Sequence, residues 1–191
     1  MKVEKTELDG VLIIKPDAFT DSRGYFLESF NEKKYWEHGI PNIFVQDNIS
    51  KSIKGTIRGL HYQVGDYAQG KLCEVLYGKV IDVAVDIRKG SPTYGKYTSA
   101  ELSEDNHIQI WIPVGFAHGF SVLSDEAIFH YKCTNFYSKE HERSLHYADP
   151  DIAIDWKVKN PLVSEKDKKA KLLKDIGEDV FKYKPSNAGS F

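Results

Sequence analysis

Apolar and polar residues alternate with a period of two along much of the chain, the spacing of strands that turn one face to a core. From Val80 to Ile87, Ile81, Val83, Val85 and Ile87 fall on one face and Asp82 and Asp86 on the other. His107 to Ile112 groups Ile108, Ile110 and Ile112 together, and Ala127 to Asn135 sets Phe129, Tyr131 and Cys133 against His130, Lys132 and Thr134. Short runs rich in Val, Ile, Tyr and Phe are divided by Gly, Pro, Asn and Asp, residues that interrupt strands and supply turns. Tyr77-Gly78-Lys79 separates two such runs and predicts a hairpin turn. Many short strands with regular turns predict an all-β sandwich, jelly roll or small barrel.

Two segments carry a helical pattern instead. Asn31 is placed to cap Glu32 to His38, closed by Gly39 and Pro41. Ser164 is placed to cap a helix running to about Ile176, with Asp167 as its capping-box partner. Residues 1–183 are expected to form a single domain, and the small polar stretch from Lys184 to Phe191 a loose tail.

Composition narrows the function. Net charge is −2 over 191 residues with both signs interspersed, which gives no footprint for nucleic acid or membrane. An anionic ligand has to be caught by individual arginines and lysines. The two cysteines, Cys73 and Cys133, sit in apolar strand-like runs and read as small buried thiols, not as a disulfide framework. With no apolar stretch of signal-peptide or membrane-spanning type, a cytoplasmic protein is expected.

The segment Pro113-Val114-Gly115-Phe116-Ala117-His118 resembles the second motif of the cupins, whose His is a ligand in the metal-binding members. The partner stretch Arg58-Gly59-Leu60-His61-Tyr62-Gln63 lacks the His-x-His pair that a facial metal site needs, so a barrel without a metal is expected. No dinucleotide fingerprint is present, and no cofactor is expected.

Eight runs together carry a more specific resemblance. They are Asp21 to Phe30, Gln46-Asp47-Asn48, Arg58 to Gln63, Gln69 to Leu72, Asp82 to Arg88, Pro113 to Phe120, Tyr131 to Tyr137 and Ser164 to Asp167. In this order, over roughly residues 3 to 175, they resemble the dTDP-4-dehydrorhamnose 3,5-epimerase family. Cys73 to Leu76, Val64 to Tyr67 and the charged stretch Tyr137 to Leu145 depart from the family wording. The resemblance implies a cupin-type jelly roll with a few short peripheral helices, working as a homodimer. It also implies conversion of dTDP-4-keto-6-deoxy-D-glucose to dTDP-4-keto-L-rhamnose, a supply step for surface polysaccharide.

That chemistry has its own requirements. A C4 ketone acidifies the C–H bonds at C3 and C5, so inversion needs a base on one face, an acid on the other and a charge for the enolate oxygen. His61 is the candidate base, since an imidazole titrates at about 6.5, and the resemblance makes Asp167 its partner. Tyr131 is the candidate acid, a phenol that stays protonated at neutral pH. Lys71 matches the lysine beside the C4 oxygen. The plainer readings are a core histidine, a helix cap, a core aromatic and a surface lysine.

By resemblance Arg23, Arg58 and Lys166 are candidates for the pyrophosphate and sugar, and Glu28, Gln46, Asp47, Asn48, His118 and Glu142 for further contacts. Phe26 and Tyr137 are candidate stacking surfaces for the thymine, with ordinary packing an equal alternative. Arg58 and His61 fall on opposite faces of a regular strand, so both reach one site only if Gly59 marks a bulge. The resemblance further implies that the N-terminal strand bearing Arg23 and Glu28 completes the neighbouring subunit's pocket.

Overall fold

The computed structural model describes residues 1–41, 43–177 and 181–184. The period-two segments pair into two antiparallel sheets that lie face to face. The first holds β1 (Lys2–Lys5), β2 (Leu12–Lys15), β10 (Gln109–Ile112), β7 (Lys71–Tyr77), β12 (Glu126–Cys133) and β5 (Gln46–Ile53), in that order. The second runs β13 (Glu142–Ser144), β6 (Thr56–Gln63), β11 (Phe116–Val122), β8 (Lys79–Asp86) and β9 (Tyr97–Ser103), with β14 (Leu162–Val163) added in parallel to β6. β3 (Ala18–Asp21) and β4 (Gly24–Leu27) form a separate hairpin. This is the expected jelly-roll sandwich.

Between the sheets, Cys73, Val75, Ile110, Ile112 and Phe129 of the first meet Val80, Ala84, Phe116 and Phe120 of the second. Burying side chains of this size contributes about 2–3 kcal/mol each. The other face of the second sheet is also covered. Ile81, Val83, Val85 and Ile87 pack there against Leu145, Ile152, Trp156 and Leu173. Strand β8 is therefore buried on both faces, and Asp82 and Asp86, opposite the apolar row, are fully buried too. Asp86 is satisfied by Arg88 at 2.7 and 2.9 Å, Ser91 at 2.6 Å and Thr93 at 2.7 Å. Burial alone raises its carboxyl, but these donors outweigh that and hold it below the usual carboxylate range.

Three local expectations change. Gly78 does turn the chain, but β7 and β8 belong to different sheets, so the turn is a corner between sheets and not a hairpin. Its φ of +78° and a clash of any Cβ with Glu126 O at 2.1 Å demand glycine. Asn31 caps a helix, α1 (Glu32–Trp36), by accepting from the Lys34 N–H. Beyond Trp36 the bonds tighten to Tyr35 and Trp36 carbonyls and the chain leaves through Gly39, so the helix stops short of His38. Ser164 caps only a single turn, α2 (Glu165–Lys168). The segment expected to continue it bridges Lys171 to Leu145 and sends Leu173 and Ile176 into the core, so tertiary packing overrides the helical pattern. Lys182 forms a bridge with Lys89, and the expected tail from Lys184 to Phe191 lies, but for Lys184, outside the described residues.

Candidate active site

At one end the inter-sheet space stays open as a cavity of about 490 Å³. Beside it, the paired strands β6 and β11 run too close for side chains at Gly59 and Gly119. Gly59 has φ +126°, and a Cβ on it would lie 2.6 Å from Gly119 Cα. The register between the strands shifts here, with His118 opposite His61 but Phe120 opposite Arg58. The break in pairing puts Arg58 and His61 on the wall of one cavity, the condition that strict alternation forbade.

His61 and Tyr131 approach from different sheets, His61 from β6 and Tyr131 from β12. His61 Nε2 lies 2.7 Å from Asp167 Oδ1. Burial pushes the Asp167 carboxyl up, but the His61 contact, Ser164 and the Gly59 backbone prevail and keep it low, hence ionised. The capping box is thus only half made: Ser164 Oγ accepts the Asp167 N–H, while the carboxylate turns to His61. Burial raises the Tyr131 phenol to about 12. Lys71 lines the same wall, its Nζ 5.7 Å from the Tyr131 ring centre.

Arg58, Asn48, His118 and Lys166 also line this cavity. Arg58 is steered by its Nε bond to Ser52 Oγ at 2.9 Å. At the rim the Tyr137 N–H donates to Gln46 Oε1 at 2.8 Å, and the Tyr137 hydroxyl donates to Glu142 at 3.1 Å. Glu142 pairs in turn with Lys166 at 2.5 Å, which lowers its carboxyl against the opposing effect of burial.

Four expected residues stand elsewhere in the chain. Asp47 faces the opposite side of β5, where it holds Lys132 at 2.8 Å and His130 at 3.6 Å; the alternation that turns Asn48 inward turns Asp47 out. Arg23 and Phe26 line a separate shallow groove on the β3–β4 hairpin, with Arg23 paired to Asp21 at 2.6 Å. Glu28 is engaged by Lys34 at 2.7 Å and by Asn31.

Several lining residues escaped the sequence reading. Ser50 lies two places from Asn48 on the inward face, a signal alternation alone supplies. Its hydroxyl is buried with no hydrogen-bond partner among the described residues. Asp82 and Cys73 lie behind His118: Asp82 oxygens are 2.9 and 3.1 Å from His118 Nε2, and Cys73 Sγ is 3.8 Å from it. Burial lowers the His118 imidazole despite Asp82.

A jelly roll with an open end lined by an imidazole–carboxylate pair, a phenol and a lysine defines an epimerase of cupin type. The family model described as dTDP-4-dehydrorhamnose 3,5-epimerase matches residues 5–175, and the chain belongs to that family. The chain is 58% identical over 168 residues to the dTDP-4-dehydrorhamnose 3,5-epimerase of Shigella flexneri, covering 87% of this chain and 93% of that one. It is 50% identical over 174 residues to the enzyme of the same name from Methanothermobacter thermautotrophicus, covering 90% and 94%. Its fold matches the crystal structure of dTDP-6-deoxy-D-glucose-3,5-epimerase from Legionella pneumophila in complex with dTDP-4-keto-L-rhamnose. That match has a TM-score of 0.92 at 52% identity and covers 96% of this chain and 98% of the other.

Proposed function

We infer that the chain inverts C3 and C5 of dTDP-4-keto-6-deoxy-D-glucose to give dTDP-4-keto-L-rhamnose. The observation that carries this is the entry of His61 and Tyr131 from facing sheets into one cavity. The ionised Asp167 can only accept, so its 2.7 Å contact requires a proton on His61 Nε2 and leaves the Nδ1 lone pair for substrate. His61 takes the proton from C5 or C3, and the C–H electrons become the enolate. The Lys71 ammonium stabilises the charge that develops on O4. Tyr131, protonated at neutral pH, returns a proton from the opposite face. No electrons leave the sugar; the proton taken by His61 passes to solvent and Tyr131 regains one from solvent, so the cycle balances by proton transfer alone.

Arg58, Lys166, Asn48, Gln46, His118, Glu142 and Tyr137 hold the nucleotide and sugar from the cavity wall and its rim. Arg23, Phe26 and Glu28 act on a partner's pocket. The hairpin's exposure supports that role: Phe19 and Phe26, directly paired across β3 and β4, are 68% and 72% exposed. A solvated aromatic pair on a detached hairpin favours a homodimer in which the hairpin docks on the neighbour. The protein works in the cytoplasm, where its sugar nucleotide is made; both cysteines are free, in keeping with a reducing compartment.

Incubation with dTDP-4-keto-6-deoxyglucose in deuterated water tests the reaction. Label at both C3 and C5 of an L-configured product is expected. Label at C3 alone restricts the enzyme to single epimerisation, and absence of label from both carbons overturns the proposal.

A further inference from the structure

Behind the cavity wall, three chemically distinct ligands converge without a role in proton transfer. Cys73 on β7, Asp82 on β8 and His118 on β11 are all buried, and one ligand atom of each lies within 4.8 Å of the others. His118 Nε2 is the hub, 2.9 Å from an Asp82 oxygen and 3.8 Å from Cys73 Sγ. A tetrahedral zinc ion with bonds of about 2.0–2.3 Å keeps its ligand atoms roughly 3.3–3.6 Å apart. The two contacts of His118 straddle that spacing, and the Cys73 and Asp82 ligand atoms lie within 4.8 Å of each other, so the three need only close around the ion. The three ligands come from three strands of both sheets, which fixes their separation more firmly than a loop would.

We propose that Cys73, Asp82 and His118 form an inhibitory site for Zn²⁺ at the base of the cavity. The thiolate–imidazole–carboxylate set selects a borderline-soft divalent ion over Mg²⁺ or Ca²⁺, which need oxygen ligands. Charge agrees as well: Zn²⁺ with one thiolate, one carboxylate and a neutral imidazole sums to zero. Neutrality matters because the Lys71 ammonium already occupies the same region of the barrel. On binding, the Cys73 thiol proton passes to solvent and the sulfur lone pair goes to the metal. His118 gives up the Nε2 hydrogen bond it makes to Asp82: its ring proton moves from Nε2 to Nδ1, and the freed Nε2 lone pair and one Asp82 oxygen complete the protein's share. Because the His118 ring is part of the cavity wall, the ion ties down a group beside the reacting sugar and stops turnover.

The test is equilibrium dialysis of the full chain against zinc chloride, with the Co²⁺ spectrum as a second readout. One ion per chain and a thiolate-to-cobalt charge-transfer band are expected, with epimerase activity falling along the same titration. Cys73→Val suits a buried strand position and removes one ligand. It should weaken Zn²⁺ binding roughly a hundredfold, since loss even of an outer-shell partner costs 10–100-fold, and leave metal-free activity unchanged. Binding is read without substrate, so its outcome stands apart from that of the proposed reaction. If Cys73→Val binds zinc like the parent chain, the ion sits elsewhere, for instance on His61 and Asp167, and the proposal fails. Should the variant fold poorly, a wild-type cobalt spectrum without the thiolate band overturns it equally.

Discussion

The short contact from His61 to Asp167 decides which ring nitrogen works. With Nε2 committed to the carboxylate, only Nδ1 is free to receive a carbon-bound proton. His61→Ala should lower kcat by at least about 10³-fold, the upper range for a positioned base, with dTDP binding by calorimetry close to the parent's. Tyr131→Phe should separate the two half-steps: exchange of substrate C–H with deuterated solvent continues, while formation of the L-configured product drops about 100-fold. Product formation at the parent rate would move the acid elsewhere. Both residues stood out in the sequence because their neighbours carry the family wording. Asp82 and Cys73 did not, because a carboxylate opposite an apolar row looks solvated until a second layer is known to cover it. Here Cys73, Val75 and Phe129 of the first sheet on one side and the C-terminal segments on the other bury the strand that carries Asp82. Asp47 stands on the outer face of β5, and a matched run says nothing about which of two adjacent side chains points inward.

Between elements, the close approach of Gly59 and Gly119 is the structural condition for the site. Gly59→Ala adds a Cβ 2.8 Å from His118 O at a φ of +126°, and two backbones cannot yield as a side-chain tip can. A loss of about 2–4 kcal/mol in urea unfolding is expected, together with a fall in activity larger than the destabilisation explains, because Arg58 and His61 lose their shared wall. On the outer face of the first sheet, His130 Nδ1 lies 2.8 Å from Glu74. That contact raises the His130 imidazole above its ordinary value against opposing burial. A raised folded pKa adds stability that is fully present below the unfolded value and is lost as pH climbs through the folded one. His130→Gln should therefore lower the melting temperature at about pH 6, by the equivalent of about 1–2 kcal/mol, with the gap closing as pH rises through the raised folded value. A gap independent of pH would place the cost in packing. The strands were legible from alternation, whereas the short helices were overestimated. Ser164 signals where α2 begins, but what ends it is Leu173 and Ile176 finding the core, and no local pattern records that.

At the scale of the whole molecule, the catalytic groups and the N-terminal hairpin are separate in one chain. The cavity is lined by residues 48 to 167, while Arg23 sits on a hairpin with its own groove and a side chain 87% exposed. Phe19 and Phe26 beside it are likewise solvated, an arrangement whose cost docking on a second subunit would remove. If each hairpin serves its neighbour, defects in Arg23 and His61 must complement across a dimer. Consider equal amounts of Arg23→Ala and His61→Ala subunits, mixed after denaturation and refolded together. Half the dimers are then hybrids, and in each the unaltered hairpin of the His61→Ala subunit reaches the cavity that retains His61. One site per hybrid is intact, so activity should recover to about a quarter of the parent value. With a hairpin that folds back on its own cavity, every site carries one defect and mixing restores nothing. The hybrid measurement thus separates the two arrangements once each single variant is shown to have lost most of its activity.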